Sequence, residues 1–115
     1  MNSVSLIGNL ATDVDLREVG AEKKAASFLL AVDRRSREGG ADFVRVTAWD
    51  RQAELCAEYL AKGRRVGVDG RLRSDSWEDG EGKKRRSVEV VAHHVEFLSP
   101  PAQGADVPFA AAASS

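Results

Sequence analysis

In the segment DFVRVTAWD, residues 42–50, large aromatic and cationic side chains recur at every second position. An extended chain sends alternate side chains to opposite faces. Val44, Val46 and Ala48 then share one face, and Phe43, Arg45, Thr47 and Trp49 share the other. A buried charge without a partner is costly, so the valine face belongs inside and the arginine face outside. Two large rings on an outer face need a partner. They either cover a neighbouring hydrophobic patch or a second subunit, or they stack on the flat faces of nucleobases while the interleaved arginines meet phosphates. Stacking of this kind tolerates any sequence and is worth ~1–3 kcal/mol per base. The same residue types return further along. Arg65, Arg71 and Arg73 alternate on the outer side of RRVGVDGRLR, and Trp77 sits in a polar, Gly-rich stretch close to Lys83, Lys84, Arg85 and Arg86.

The elements that must position these residues follow from periodicity. Residues 3–10 alternate as a strand, 13–24 read as an irregular strand or loop, and 25–33 form a second apolar strand. RRSREGGA breaks at Gly39 and Gly40 before the 42–50 strand. Over 51–62 the period changes: Leu55, Cys56, Tyr59 and Leu60 fall on one helical stripe, with Asp50 expected as N-cap and Gly63 as C′ residue. Residues 64–73 alternate again, SDSWEDGEGKK reads as a long hairpin loop, and 85–98 supply the last strand. Three strands, one helix and two strands is the order of the OB-fold, although other small barrels share this pattern; the expected fold is all-β, an OB-fold five-stranded antiparallel barrel with one helix between strands 3 and 4. The domain spans 1–98; from Ser99 the composition shifts to Pro, Ala, Gly and Ser, and 99–115 reads as a flexible tail.

Composition narrows the function classes. With 115 residues, 43% hydrophobic and 30% charged, the chain suits one soluble domain. No apolar run reaches the length of a membrane span and no signal peptide is indicated, so a cytoplasmic, nucleoid-associated protein without a membrane partner is expected. The formal net charge of −1 argues against a general polycation but not against a local basic groove. The single cysteine, Cys56, lies on the helix stripe and reads as a small core residue. His93 and His94 are adjacent in a strand, point to opposite faces and do not share a metal easily. There is no phosphate loop and no nucleophile elbow. The expectation is a binding protein rather than an enzyme, with no cofactor and no metal.

Taken in order, NSVSLIGNLATDVDLR, FLLAV, DFVRVTAWDRQAELCAEYLAKGRRVGVDGRLRSDSW and VEVVAHHVEFL resemble the bacterial single-stranded DNA-binding proteins over about residues 2–98. The resemblance implies an OB-fold that assembles as a homotetramer, a dimer being the other option. It also implies wrapping of single-stranded DNA in replication, repair and recombination. By position, Phe43, Trp49 and Trp77 match the family's stacking aromatics, and Arg45, Arg71 and Arg73 fall in its DNA-facing strands. Arg34, Arg35, Lys84 and Arg86 complete the expected DNA-binding set.

Two departures from the family pattern stand out. The family often carries another aromatic in the loop after the second strand. Here the matching place is near Ser36, so either one stacking site is lost or Arg34, Arg35 and Arg37 replace it by charge and guanidinium stacking. The family also commonly ends in an acidic tail closing on Pro-Phe that recruits partners. Asp106, Pro108 and Phe109 form a reduced version, extended by Ala110 to Ser115, which puts recruitment of replication and repair proteins in doubt. The alternative function is a primosome-like OB-fold accessory module acting mainly through protein contacts. An RNA ligand is a milder rival, since stacking platforms accept bases of either polymer.

Overall fold

The computed structural model describes residues 1–98; the tail expected over 99–115, with Asp106, Pro108 and Phe109, lies outside the described residues. The elements are β1 (Val4–Leu10), β2 (Asp15–Glu18), β3 (Lys24–Asp33), β4 (Ala41–Trp49), α1 (Asp50–Tyr59), β5 (Arg65–Glu78) and β6 (Lys84–Phe97). The sheet order is β1-β5-β6-β4-β3-β2, and a further β1–β3 pairing closes β1, β5, β6, β4 and β3 into a ring. This is the expected OB-fold, with two refinements. The segment left open between strand and loop contains β2, and β1 and β2 together run along β3 as one interrupted strand: Asn9 and Leu10 pair with Ala31 and Leu30, and Asp15 to Glu18 with Ser27 to Lys24. Thr12 bridges the interruption by accepting the Leu29 N–H on its hydroxyl at 3.1 Å. The second refinement concerns direction. β4 and β6 meet in parallel, so the barrel is antiparallel everywhere except at this closing pair.

The interior is the alternating apolar face that the strand periods require. Ala26, Phe28 and Leu30 from β3, Val46 and Ala48 from β4, Val66 and Val68 from β5, and Val90, Ala92, Val95 and Phe97 from β6 are all buried. The alternation in β6 slips between Ala92 and Val95. The cause is visible in the register: Asp69 pairs with His94 but Gly70 with Ala92, so His93 is an extra, unpaired residue. A bulge of this kind bends the strand and lets a small sheet curve round on itself. Gly70 faces the bend, where a Cβ would run into the backbone carbonyl of Val91.

Helix α1 plugs one end of the barrel. Ala53 and Cys56 are fully buried, Leu60 closely so, and Tyr59 stacks obliquely on Phe97 with ring centroids 6.2 Å apart. Both helix ends differ from expectation. Trp49, not Asp50, is the N-cap, and it makes no side-chain capping bond. Asp50 takes a left-handed conformation (φ 52°), because the chain must turn sharply from an extended strand into a helix and Asp tolerates that region better than most residues. At the other end the C-cap is Leu60, whose N–H donates to the Cys56 carbonyl. Gly63 (φ 95°) instead serves the turn into β5, where its N–H donates to the Leu10 carbonyl at 2.8 Å.

Gly70→Ala should destabilise the domain by about 1–3 kcal/mol, the usual range for overpacking a close backbone contact. Chemical denaturation followed by far-UV circular dichroism would measure it; a loss below about 0.5 kcal/mol would mean that the bulge yields easily.

Candidate nucleic-acid interface

Register decides which side chains share the outer face. Thr47 of β4 lies beside Val91 of β6 in the parallel pair. Across β6, Val91 faces Arg71, Glu89 faces Arg73, and Arg85 faces Trp77 on β5. Strand alternation then places Phe43, Arg45, Thr47 and Trp49, together with Arg71, Arg73, Trp77, Glu89 and Arg85, on one continuous surface. Phe43 is 62% exposed and Trp77 50% exposed. Trp49 is half-buried and borders a shallow cavity of about 240 Å³ that Arg45, Thr47, Arg73 and Glu89 also line. From β2, Asp15 and Arg17 close the far side of this cavity, paired with each other at 3.0 Å.

The expected cations fall into distinct groups. Arg71 and Arg35 are exposed and have no ion-pair partner among the described residues. Arg45 reaches Glu89 at 3.8 Å, and Arg73 reaches its neighbour Asp75 at 3.6 Å. Arg34 is held to Asp42 at 2.8 Å, which ties the β3–β4 turn to the strand that carries Phe43. Lys84 and Arg86 lie apart from that outer face. They sit opposite Glu78 and Ser76, on the reverse face of the β5–β6 hairpin from Trp77. The cation that shares Trp77's face is Arg85, which the sequence reading had not singled out; its Nε lies 2.9 Å from Asp79 Oδ2.

Glu89 was missed as well. Its alternation within SVEVV places it outside the barrel, but only the register puts it next to Thr47 and Arg45. Thr47 itself lies on the outer side yet is buried, and its hydroxyl donates to Glu89 Oε2 at 2.8 Å.

The hairpin tip is organised by Asp79. Its Oδ1 accepts the N–H groups of Glu81 at 2.9 Å and Lys83 at 3.0 Å. The Lys83 N–H, then the Arg85 guanidinium, then the Glu81 N–H hold its carboxyl below the ordinary range. Elsewhere, burial pushes the Cys56 thiol up to about 12, so it stays protonated at neutral pH and is a core residue, not a nucleophile. His93 is exposed on the bulge and His94 half-buried, and the described residues hold no group of three or more His, Cys, Asp or Glu side chains that could bind a metal. No helix among the described residues is long and apolar enough to cross a membrane.

A small OB-fold barrel with exposed rings and arginines gathered on one outer face defines a class of oligomer-binding module. The chain matches the single-strand binding protein family over residues 1–98, and it belongs to that family. It is 43% identical over 102 residues to single-stranded DNA-binding protein 3 of Clostridium acetobutylicum, covering 85% of this chain and 71% of that one. It is also 43% identical over 104 residues to single-stranded DNA-binding protein 2 of Listeria innocua, covering 87% of this chain and 65% of that one. The single-stranded DNA-binding protein of Clostridium tetani is 43% identical over 102 residues, covering 85% and 70%. The chain thus spans about two thirds of the length of these relatives.

A carboxylate with a lowered pKa fastens the folded form above the ordinary carboxylate value, and that fastening is lost as pH falls through the folded-state value. Acid should therefore loosen the hairpin tip. In hydrogen exchange, the Lys83 amide should be protected at neutral pH and lose protection on acidification. Asp79→Asn should show the loosened tip at neutral pH and no further acid transition there.

Proposed function

We propose that this chain binds single-stranded DNA without sequence preference and protects it during replication, repair and recombination. The observation that carries this is the single outer face on which Phe43, Trp49 and Trp77 alternate with Arg45, Arg71 and Arg73. The rings supply stacking surface that any base can use, and the arginines supply phosphate contacts between them. Because the face joins the barrel wall to the β5–β6 hairpin, the strand of DNA runs across Phe43 and Trp49 toward Trp77. Arg34 and Arg35 lie past the Phe43 end of this track, in the turn between β3 and β4. Lys84 and Arg86, on the hairpin's reverse, would meet DNA only where it wraps round that hairpin. Family membership supports a binding protein in place of an enzyme, acting in the bacterial cytoplasm on nucleoid DNA.

We further propose that the chain works as a homotetramer. Two features support assembly from copies of itself. Residues Val4–Gly8 of β1 pair with β5 on one side, whereas β3 meets only Asn9 and Leu10 on the other, so among the described residues most of that edge is open to a further strand. On the outer side of the same sheet, Ile7 is 53% and Leu98 41% exposed, on either side of Gly67, around a hollow of about 280 Å³. Apolar surface of this kind next to an open edge favours a second copy.

Tryptophan fluorescence during titration with oligo(dT) tests the DNA-binding reading directly, since both tryptophans lie on the proposed track. Saturable quenching that weakens with salt is expected. Trp49→Ala and Trp77→Ala should each cost ~1–3 kcal/mol of binding, equally for all sequences. Arg71→Gln should make the slope of log K against log salt shallower by about 0.7, the contribution of one phosphate on a single strand. Absence of quenching in the folded protein would mean the rings face protein, and the accessory-module reading would replace this one. For the assembly, sedimentation equilibrium should report a tetramer, and Ile7→Glu should shift it toward smaller species; a monomeric wild type would end that proposal.

A further inference from the structure

A surface built to hold a polyanion has a carboxylate at its centre. Glu89 lies between Arg45, 3.8 Å away, and Arg73, its direct partner in the β5–β6 register. Its side chain is only 18% exposed, and the Thr47 hydroxyl, buried beneath the same face, donates to it at 2.8 Å. It is therefore held more firmly than a surface glutamate, and being shielded, its charge is screened less than an exposed one. The cavity it lines is nearly balanced in charge, with Arg17, Arg45 and Arg73 against Asp15 and Glu89, an excess of one positive charge. Arg71, one step along β5, has no such partner among the described residues.

We propose that Glu89 is a positioning residue that stands in for a phosphate. It occupies Arg45 and repels the DNA backbone from this part of the face, so that the floor between Trp49 and Arg73 receives a base and the phosphates pass along the rim where Arg71 is free. The inference rests on the outer face being the DNA track. Three observations converge on it. The carboxylate is fixed by a hydrogen bond from a buried hydroxyl. The nearest arginine is already turned toward it. Trp49, the half-buried ring, borders the same cavity. A phosphate entering there would have to displace Glu89 from Arg45 while remaining beside its charge. An uncharged base meets no such repulsion, and its ring can lie against Trp49.

Glu89→Gln tests this, because the amide keeps the shape and can still accept the Thr47 hydrogen while removing the charge. With oligo(dT) of fixed length and tryptophan quenching as readout, the variant should bind more tightly at low salt. Its salt slope should be steeper by about 0.7, an extra fivefold loss of affinity for each tenfold rise in salt. Arg45→Gln should make the slope shallower by less than half as much as Arg71→Gln does in the wild type, and by as much as Arg71→Gln in the Glu89→Gln background. A residue that merely supports the fold would lower Tm and leave these slopes alone. An unchanged slope in folded Glu89→Gln overturns the proposal. If that variant does not fold, the comparison of Arg45→Gln with Arg71→Gln decides, and equal effects overturn it. Loss of quenching in the wild type would remove the DNA track itself, whereas quenching with unaltered slopes would remove only the role of Glu89.

Discussion

The closing contact of the barrel is narrow. β4 and β6 pair in parallel through Val46 with Val90 and Thr47 with Val91, and no other strand pair in the ring runs in that direction. This seam does two jobs at once. On its inner side Val46 and Val90 are completely buried and join the core. On its outer side it fixes how the strand bearing Phe43 and Trp49 lies against the hairpin bearing Arg71, Arg73 and Trp77. A shift of one residue would turn every side chain of β4 to the other face. The arginine of β4 would then point into the core and the valines into solvent, so the same hydrophobic burial that closes the barrel also sets the candidate binding face. Thr47 fastens the outer side of the seam through Glu89 of β6, which lies two residues from Thr47's own partner, Val91.

Charge on this protein is a matter of placement, since the net charge of the chain is only −1. Acidic side chains take specific tasks next to the basic ones. Asp42 holds Arg34, Asp79 builds the hairpin turn and holds Arg85, and Glu89 engages Arg45. An exposed pair such as Arg34–Asp42 contributes little to stability, so its effect lies more in where it holds the guanidinium group than in how firmly it holds the fold. What remains for a polyanion is a smaller set of unpartnered cations than the count of 17 Lys and Arg suggests. Among the described residues Arg71 and Arg35 are in that set.

Much of the barrel was legible from local pattern, because strands with one buried face write that face into the sequence at every second residue. Val46 with Ala48, and Val66 with Val68, are such cases. The helix stripe of Cys56 and Leu60 was readable for the same reason. The helix ends were not. A sequence that puts Asp before a helix and Gly after it suggests capping, but here tertiary demands prevailed: the sharp turn out of β4 claimed Asp50, and the turn into β5 claimed Gly63. The His93 bulge left a trace in the sequence, the slip of apolar spacing between Ala92 and Val95, yet its position opposite Gly70 comes from pairing. Pairing also decides which members of a basic run share the candidate face. Lys84, Arg85 and Arg86 are equivalent as a run of basic residues. Only the cross-strand register separates Arg85, which shares Trp77's face, from its two neighbours. Glu89 was unreadable for the same reason, since its partners Thr47 and Arg45 lie more than forty positions away in the chain.

The three rings differ in how they are held, and that difference has a consequence for how a strand would engage them. Phe43 and Trp49 stand on β4, a strand paired to β3 along its length and to β6 at the seam. Trp77 stands on the outer part of β5, where Arg71 to Glu78 are all exposed and, among the described residues, β6 is the only paired strand, with Asn2 bonding the backbone of Leu72 at its base. A two-stranded ribbon in water is only marginally ordered on its own. Asp79 stiffens its tip, but Leu72 and Val88 on the reverse face remain about half exposed, with no third strand among the described residues to cover them. Binding at Phe43 and Trp49 therefore costs little ordering, whereas stacking on Trp77 must also fix the hairpin. On the proposed track the barrel face would be the first contact, and the hairpin would close on a strand already in place.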